Sequence, residues 1–181
     1  MIWQGGALAD ALPPGQRFDY CIAAHVIEHV ADPIGWLAGL ADILKPGGLI
    51  SLAIPERNLT FDYRRDLTSP ADLIDAYLRK LTRPGPRHVF DCVAFASPLD
   101  KAHLNLPLFD QAKLKHALRV ARHAQDSEDY LDMHCNVFTL DSFKFCWEVI
   151  STLELVPLSL WASFEPRGDA LGEFVVILRR S

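Results

Sequence analysis

The stretch Phe18–Pro55 has the sequence FDYCIAAHVIEHVADPIGWLAGLADILKPGGLISLAIP, and it decides the fold class. Its first seven residues, FDYCIAA, form a short apolar run after the turn residues Pro13-Pro14-Gly15. Such a run is typical of a strand that is buried on both faces of a parallel sheet. A second run of the same kind, Leu49–Ile54, is closed by Pro55. We therefore predict two buried strands in this stretch.

A helix is predicted between these two strands. Asp32-Pro33 suits an N-cap followed by proline at the first helical position. Apolar residues then recur at helical spacing, at Ile34, Leu37, Leu40, Ala41 and Leu44. The run KPGG at 45–48 carries the proline and glycine signals that end a helix. A strand, a helix and a strand within about 40 residues make a βαβ unit, whose two strands lie parallel.

The remainder of the chain predicts helices and a closing hairpin. A helical insertion is expected at about residues 56–135, with one helix opened by Ser69-Pro70 and ended by RPGP at 83–86, and another at 110–125. Val137–Thr139 is strand-like and leads into a helix at 140–153. Leu155–Phe164 and Glu173–Arg180 are separated by a short loop and predict an antiparallel hairpin. The 181 residues are expected to form a single domain, since domains usually have about 100–200 residues.

Amino-acid composition and net charge limit the kinds of molecule that this chain is expected to bind. Half of the residues are hydrophobic and 23% are charged, which is typical of a globular protein. No apolar run approaches the roughly 20 residues that a bilayer span needs, so no membrane partner is expected. A net charge of −5 argues against nucleic-acid binding. The N-terminal residues lack the features of a secretory signal, and we expect a cytoplasmic location.

The segment His25-Val-Ile-Glu28-His29 has the letters of the H-x-x-E-H zinc-protease motif. That chemistry requires both histidines on one face of a stable helix. Pro33 follows so closely that hardly one helical turn fits before it. We therefore interpret the segment as a bend outside the carboxyl end of a parallel strand, where open α/β sheets place their ligands.

Several short phrases within Phe18–Pro55 together resemble one enzyme family: Phe18-Asp19, Glu28-His29-Val30, Asp32-Pro33 and Leu44-Lys45-Pro46-Gly47-Gly48. They are similar to the second half of the catalytic domain of class I S-adenosylmethionine-dependent methyltransferases. The closing hairpin resembles the last two strands of that family. The resemblance implies an α/β fold with a partial Rossmann-like methyltransferase sheet, in which parallel strands are joined by a C-terminal antiparallel hairpin and interrupted by a helical insertion.

The chain departs from the family pattern at its N-terminal end. The family holds its cofactor with a glycine-rich loop after the first strand and an acidic residue after the second, and neither has a counterpart here. Gly5, Gly6 and Gly15 all precede the first strong strand. We therefore expect a chain that lacks the N-terminal half of the family domain and binds S-adenosylmethionine weakly or not at all. The open sheet edge would then be covered by a second copy or by another partner.

The resemblance also implies roles for individual residues. Ala24 and His25, at the end of the first strand, are expected to contact the cofactor, as is Ala7 in the segment Gly5–Leu8. Glu28 and His29 either position the nucleophile, with a histidine accepting its proton, or anchor the following helix. His134, in the polar run YLDMH, is either a base or orienting group on the substrate side or a surface histidine.

A metal set is a further alternative. Ubiquinone-pathway and small-RNA methyltransferases that resemble this segment carry Glu where His25 stands, and they hold a divalent metal with that Glu and the Glu-His pair. His25, Glu28 and His29 would form such a set. No fourth ligand is identifiable from the sequence, so no metal residue is assigned.

Three functional hypotheses remain at this point. The first is an S-adenosylmethionine-dependent methyltransferase, or the C-terminal part of one, that acts on a small molecule or a glycan. The glycan alternative follows from the insertion, which is similar to that of bacterial methyltransferases accompanying polysaccharide genes. The second is a non-catalytic module that binds a partner or a second copy through its sheet edge. The third is a metal-dependent hydrolase that uses His25, Glu28 and His29.

Overall fold

The computed structural model describes residues 8–97, 110–166 and 172–181. Four strands form one mixed sheet: β1 Phe18–Ala24, β2 Leu44–Pro55, β3 Leu158–Phe164 and β4 Glu173–Arg180. Their spatial order is β1-β2-β4-β3, with β1 parallel to β2 and with β4 antiparallel to both β2 and β3. The predicted βαβ unit and the predicted closing hairpin are therefore both present.

Five α-helices accompany the sheet in the described part of the chain: α1 Pro33–Ile43, α2 Pro70–Arg79, α3 Pro86–Phe95, α4 Gln111–Asp126 and α5 Leu140–Thr152. Side-chain caps explain where several of them begin. The Asp32 carboxylate accepts a hydrogen bond from the Gly35 amide at 2.9 Å, as the Asp-Pro pair predicts. Ser69 and Asp72 form a capping box at the start of α2.

The structure corrects the sequence-based boundaries in three places. Strand β2 begins at Leu44, so the run KPGG belongs to the strand as an irregularity and does not form a separate loop. The helix that begins at Pro70 ends at Arg79, before the run RPGP that was expected to end it, and Pro86 of that run is the first residue of α3. Residues 137–139 are not a strand; Phe138 makes a single bridge to Glu56.

Strand β1 is exposed where burial on both faces was expected. Tyr20 is 66% exposed and Ile22 is 73% exposed. The prediction was wrong because β1 is the edge strand of the sheet, and no described element covers the face on which these two side chains lie. Of the residues of β1, Phe18, Cys21 and Ala23 pack against the core.

The core lies around the two central strands. Ile50, Leu52 and Ile54 of β2 and Phe174 and Val176 of β4 are fully buried, together with apolar residues of α1 and α5. Helices α3 and α4 pack around a smaller second cluster. Within the described ranges, no helix is long and apolar enough to cross a bilayer.

The strand directions bring the ends of β1 and β2 and the start of β4 to one edge of the sheet. Ala24, the last residue of β1, pairs with Ala53 of β2, and Pro55 at the end of β2 pairs with Glu173 at the start of β4. The residues that follow β1 and the first residue of β4 therefore meet at the carboxyl edge of the parallel pair, where the candidate site lies.

Candidate functional site

The segment after β1 is a bend, as predicted. His25 has a left-handed backbone with φ of 53°, and its amide still donates to the Ala53 carbonyl at 3.0 Å. Ile27–His29 form one 3₁₀ turn, and Asp32 then caps α1. His25 and His29 consequently do not lie on one face of an α-helix, which removes the structural basis of the zinc-protease hypothesis.

Glu28 is the centre of the site. Its side chain is 2% exposed, and neither carboxylate oxygen has a hydrogen-bond partner among the described residues. Burial raises the pKa of this carboxyl group, although its own backbone amide and the nearby imidazoles of His134, His29 and His25 counteract the shift. A buried carboxylate without a donor is costly, so this group calls for a functional explanation.

A distant segment fixes the backbone around Glu28. The amides of Cys135 and Asn136 both donate to the Glu28 carbonyl oxygen, at 2.6 and 3.0 Å. The Asn136 side-chain amide donates to the carbonyls of Ile27 and Val30, at 3.1 and 2.7 Å. These four hydrogen bonds join the 3₁₀ turn to residues 134–136, and they bring His134 beside Glu28.

Three histidines surround the Glu28 carboxylate. Glu28, His29 and His134 each offer one possible ligand atom, and these atoms lie within 4.8 Å of one another. His25 Nδ1 lies 3.6 Å from Glu28 Oε1, and His29 Nε2 lies 3.9 Å from the same oxygen. The rings of His29 and His134 meet edge to face with centroids 4.7 Å apart. One carboxylate and a group of imidazoles is a donor set suited to a divalent transition metal.

A buried ion network supports His134. One carboxylate oxygen of Asp62 lies 2.6 Å from His134 Nδ1, and the other accepts a hydrogen bond from Arg65 at 2.8 Å. Arg65 also donates to Asp91 at 2.7 Å and to the His134 carbonyl at 2.9 Å. Burial alone would raise the pKa of Asp62, but its hydrogen bonds with His134 and Arg65 outweigh burial and lower it. Asp62 is thus held as a carboxylate next to the His134 ring.

The structure brings together all three candidate catalytic residues, Glu28, His29 and His134. Ala24 lies exposed at the end of β1, next to His25, whose side chain is 46% exposed at the rim of the site. Their expected contact with a cofactor stays a prediction. Ala7 lies outside the described residues.

Sequence reasoning missed three contributors: Asp62, Asn136 and Glu173. Glu173 Oε2 lies 2.6 Å from His25 Nε2. Its position at the start of a strand antiparallel to β2 is a signal that could have placed it at this edge. The (i, i+3) pair of Asp62 and Arg65 was a weaker signal.

Arg87 and His88, in the first turn of α3, both have structural partners. Arg87 pairs with Asp72, and His88 Nδ1 accepts from the Gly85 amide at 3.1 Å, which caps α3. Burial, followed by the neighbouring Arg87 and Arg65, lowers the pKa of His88. Both residues line a cleft of about 260 Å³ on the far side of Arg65.

Comparisons with known proteins place these elements in a family context. The model of the methyltransferase domain family matches residues 4–149. Ubiquinone biosynthesis O-methyltransferases are similar over shorter stretches. The protein of this name from Cereibacter sphaeroides (strain ATCC 17025) is 43% identical over 49 residues, which are 27% of this chain and 20% of that protein. The one from Ruegeria pomeroyi is 46% identical over 52 residues, 29% and 20% of the two chains. The similarity thus spans about a fifth of the length of these curated relatives.

Proposed function

The chain belongs to the methyltransferase domain family, as the resemblance of Phe18–Pro55 predicted, and on that premise we propose that it takes part in S-adenosylmethionine-dependent methylation of a hydroxyl group. The acceptor that we propose is a small molecule or a glycan. The relatives' printed name, O-methyltransferase, supports oxygen as the methylated atom.

The proposed reaction is an in-line displacement. The acceptor oxygen forms a bond to the methyl carbon, the bond from that carbon to the sulfonium breaks to give S-adenosylhomocysteine, and the hydroxyl proton passes to a base. Alignment of the reactants can supply about 7–11 kcal/mol of the barrier. The enzyme's remaining task is to orient the hydroxyl and to accept its proton.

The observation that carries the proposal is the buried Glu28 carboxylate, which faces three imidazoles and has no hydrogen-bond partner in the described part of the chain. These residues fit a divalent cation, because a carboxylate that lacks a donor and nearby ring nitrogens are ready ligands. Glu28, His29 and His134 would hold the cation, with His25 at the rim. A bound divalent cation would lower the pKa of an acceptor hydroxyl that coordinates it.

The methyl donor is expected to bind at the carboxyl edge of β1 and β2, where open α/β sheets place their ligands. Ala24 and His25 would contribute to that surface from the end of β1. No glycine-rich loop follows a strand within residues 8–97, 110–166 and 172–181. We therefore propose that the affinity of this chain for S-adenosylmethionine is weak, and we assign no further donor contacts.

Calorimetry with S-adenosylmethionine and S-adenosylhomocysteine tests the proposal directly. Binding of either ligand at millimolar concentration is expected, and the absence of binding for both would overturn it. Transfer of a labelled methyl group to a panel of catechols and sugars is then expected to fall about 100-fold or more in His134→Gln. His116→Gln, on the exposed part of α4, is the matched control and should retain activity.

A second candidate is a non-catalytic module, and the exposed edge strand β1 favours it. Parallel strands are normally buried, yet Tyr20 and Ile22 project from one exposed face of β1. Unpaired backbone groups along such an edge invite another strand, and we propose a second copy of this chain as the partner. Sedimentation velocity should then show a dimer that Ile22→Lys converts to monomer. A monomer at all concentrations would exclude this role.

A further inference from the structure

Every imidazole that faces Glu28 has a carboxylate at its other ring nitrogen. His25 turns Nδ1 toward Glu28 and has Glu173 at 2.6 Å from Nε2. His29 turns Nε2 toward Glu28 and has Asp132 at 2.8 Å from Nδ1. The third histidine, His134, has Asp62 at 2.6 Å from Nδ1.

For His25 and His134, which are hydrogen-bonded to their carboxylate partners, this pairing selects one tautomer of the ring. A carboxylate beside one nitrogen of a neutral imidazole favours the proton on that nitrogen, which leaves the lone pair on the other. The lone pair of His25 then lies on Nδ1, which faces Glu28, and that of His134 lies on Nε2. Carboxylates placed in this way commonly orient the histidine ligands of metal sites and raise their basicity.

The three pairs differ in strength. Asp62 is 3% exposed and is held by Arg65, so the His134 pair is rigid. Glu173 is 21% exposed and is fixed at the start of β4. Asp132 is 76% exposed, and its contact with His29 lacks the alignment of a hydrogen bond. His123 also pairs with a carboxylate, that of Asp129, but both side chains are exposed on the surface.

We propose that Asp62, Asp132 and Glu173 are positioning residues that orient the rings of His134, His29 and His25 around Glu28, and that the resulting site selects a transition-metal dication such as Zn²⁺ or Co²⁺ over Mg²⁺. This inference rests on the metal site in the proposed function. It adds the outer carboxylates and the class of metal.

The donor chemistry supports this selectivity. Mg²⁺ prefers oxygen ligands and keeps several waters, whereas imidazole nitrogen suits Zn²⁺, Co²⁺ and their neighbours. The site offers a single carboxylate, Glu28, among the groups that face its centre. The other carboxylates, Glu173, Asp132 and Asp62, lie behind the rings and act through them.

The first experiment uses the whole chain, stripped of metal with a chelator and titrated with Co²⁺. Visible absorption bands of nitrogen-coordinated Co²⁺ are expected, and they should persist in a millimolar excess of Mg²⁺ and disappear when Zn²⁺ is added. Displacement of Co²⁺ by Mg²⁺, or the absence of any Co²⁺ spectrum, would refute the assigned metal class.

The second experiment tests the outer carboxylates. Glu173→Gln is expected to weaken Co²⁺ binding about 10–100-fold, and Asp132→Asn to weaken it less, because Asp132 is exposed. Asp129→Asn, which breaks the surface pair with His123, is the matched control and should leave the affinity unchanged. Unfolding midpoints in chelator should match for Glu173→Gln and the control, which separates a positioning role from a structural one. Equal Co²⁺ affinities of these two variants would overturn the assignment.

Asp62→Asn is not a suitable single test, since the loss of a carboxylate buried beside Arg65 is expected to destabilise the fold. Glu173→Gln therefore decides the question. Both experiments are performed without S-adenosylmethionine. A chain that binds Co²⁺ but no methyl donor would refute the proposed function alone, and a chain with the opposite behaviour would refute only this inference.

Discussion

At the scale of single residues, the buried carboxylate of Glu28 destabilises the fold and is also the centre of the proposed metal site. A carboxylate that is 2% exposed and has no hydrogen-bond partner in the described structure destabilises the metal-free fold. A cation bound among the neighbouring imidazoles would remove that cost. Replacing Glu28 by a neutral residue should therefore stabilise the metal-free fold and weaken metal binding.

Glu28→Gln is predicted to stabilise the metal-free chain while abolishing the stabilisation by metal. Replacing a buried charge by a neutral amide of the same shape should raise the free energy of unfolding by about 1 kcal/mol. Urea unfolding in chelator measures this change. With Zn²⁺ at about 100 times its dissociation constant, the wild-type chain should gain about 2.7 kcal/mol, and Glu28→Gln should gain little.

The control for this prediction is Glu148→Gln, which alters an exposed carboxylate on α5. It should leave both the metal-free stability and the gain from Zn²⁺ as in the wild type. A destabilised Glu28→Gln in chelator would show that the carboxylate has a partner that stabilises it.

The sequence identified Glu28, His29 and His134 individually but did not show that they meet. His134 is 105 residues from His29 along the chain, and no spacing rule connects such positions; the four hydrogen bonds from Cys135 and Asn136 help to bring them together. Asp62 and Glu173 were missed for the same reason. Asp62 pairs with Nδ1 of His134, and Glu173 pairs with Nε2 of His25. Which side chains meet at these nitrogens is decided by the fold and cannot be seen in the sequence.

At the scale of secondary structure, the entry into β2 depends on close backbone packing at Gly48. A Cβ atom at Gly48 would lie 2.9 Å from the Lys45 carbonyl oxygen and 3.1 Å from the Asp19 carbonyl oxygen. Both neighbours are backbone atoms, which cannot rotate away. Gly48→Ala is therefore predicted to lower the free energy of unfolding by about 1–3 kcal/mol, as measured by urea denaturation.

Gly39→Ala is the matched substitution for Gly48→Ala. Gly39 lies within α1, where its added Cβ would meet only the Leu8 side chain at an ordinary 3.6 Å. Alanine should stabilise this helix by up to about 1 kcal/mol. If both glycine variants shift stability in the same direction, the proposed packing at Gly48 is incorrect.

The cap of α2 gives a prediction about pH. Burial would raise the pKa of Asp72, but hydrogen bonds from Ser69 and Arg87 outweigh burial and lower it below its ordinary value. A carboxylate with a lowered folded pKa stabilises the fold above its unfolded pKa, and this contribution is lost as the pH falls through the folded value. Asp72→Asn should therefore cost about 1 kcal/mol at pH 7 and almost nothing in strong acid.

Unfolding at a series of pH values measures the contribution of Asp72. Asp75→Asn is the control, because Asp75 belongs to the same helix and pairs with Arg79 while 63% exposed. It should cost little at any pH. A pH-independent loss in Asp72→Asn would contradict the assignment of its charge to the cap.

Local signals predicted most of the elements but not all of their boundaries. The N-caps Asp32 and Ser69 and the apolar spacing of α5 were sufficient for three helices. Helix α3 was missed because the run RPGP was interpreted as a helix end, whereas α2 already ends at Arg79 and Pro86 begins α3. The exposure of β1 depends on what lies beside it in space.

At the scale of the molecule, Asn136 joins two halves of the chain that are otherwise distant. Its side-chain amide donates to the carbonyls of Ile27 and Val30, on the bend after β1. Asn136→Ala would leave both buried carbonyl groups without this donor. We predict a loss of about 2 kcal/mol or more in unfolding free energy, with a parallel loss of Co²⁺ affinity.

Asn58→Ala is the comparison for Asn136→Ala, since the exposed Asn58 bonds only locally, to Glu56 and Arg57. It should change neither stability nor Co²⁺ affinity appreciably. Retention of full Co²⁺ affinity by a folded Asn136→Ala variant would show that the bend keeps its shape without this residue.

The spread of the donors along the chain has a consequence for biosynthesis. The groups that face or orient a ligand run from His25 to Glu173, and Glu173 reaches the others only when β4 has paired with β2. Contacts between such remote positions form late in folding, because long loops must close first. During synthesis, His25 and Glu28 would thus leave the ribosome long before His134 and Glu173. Full assembly of the proposed metal site would therefore be a late step of folding, completed only after β4 has paired with β2.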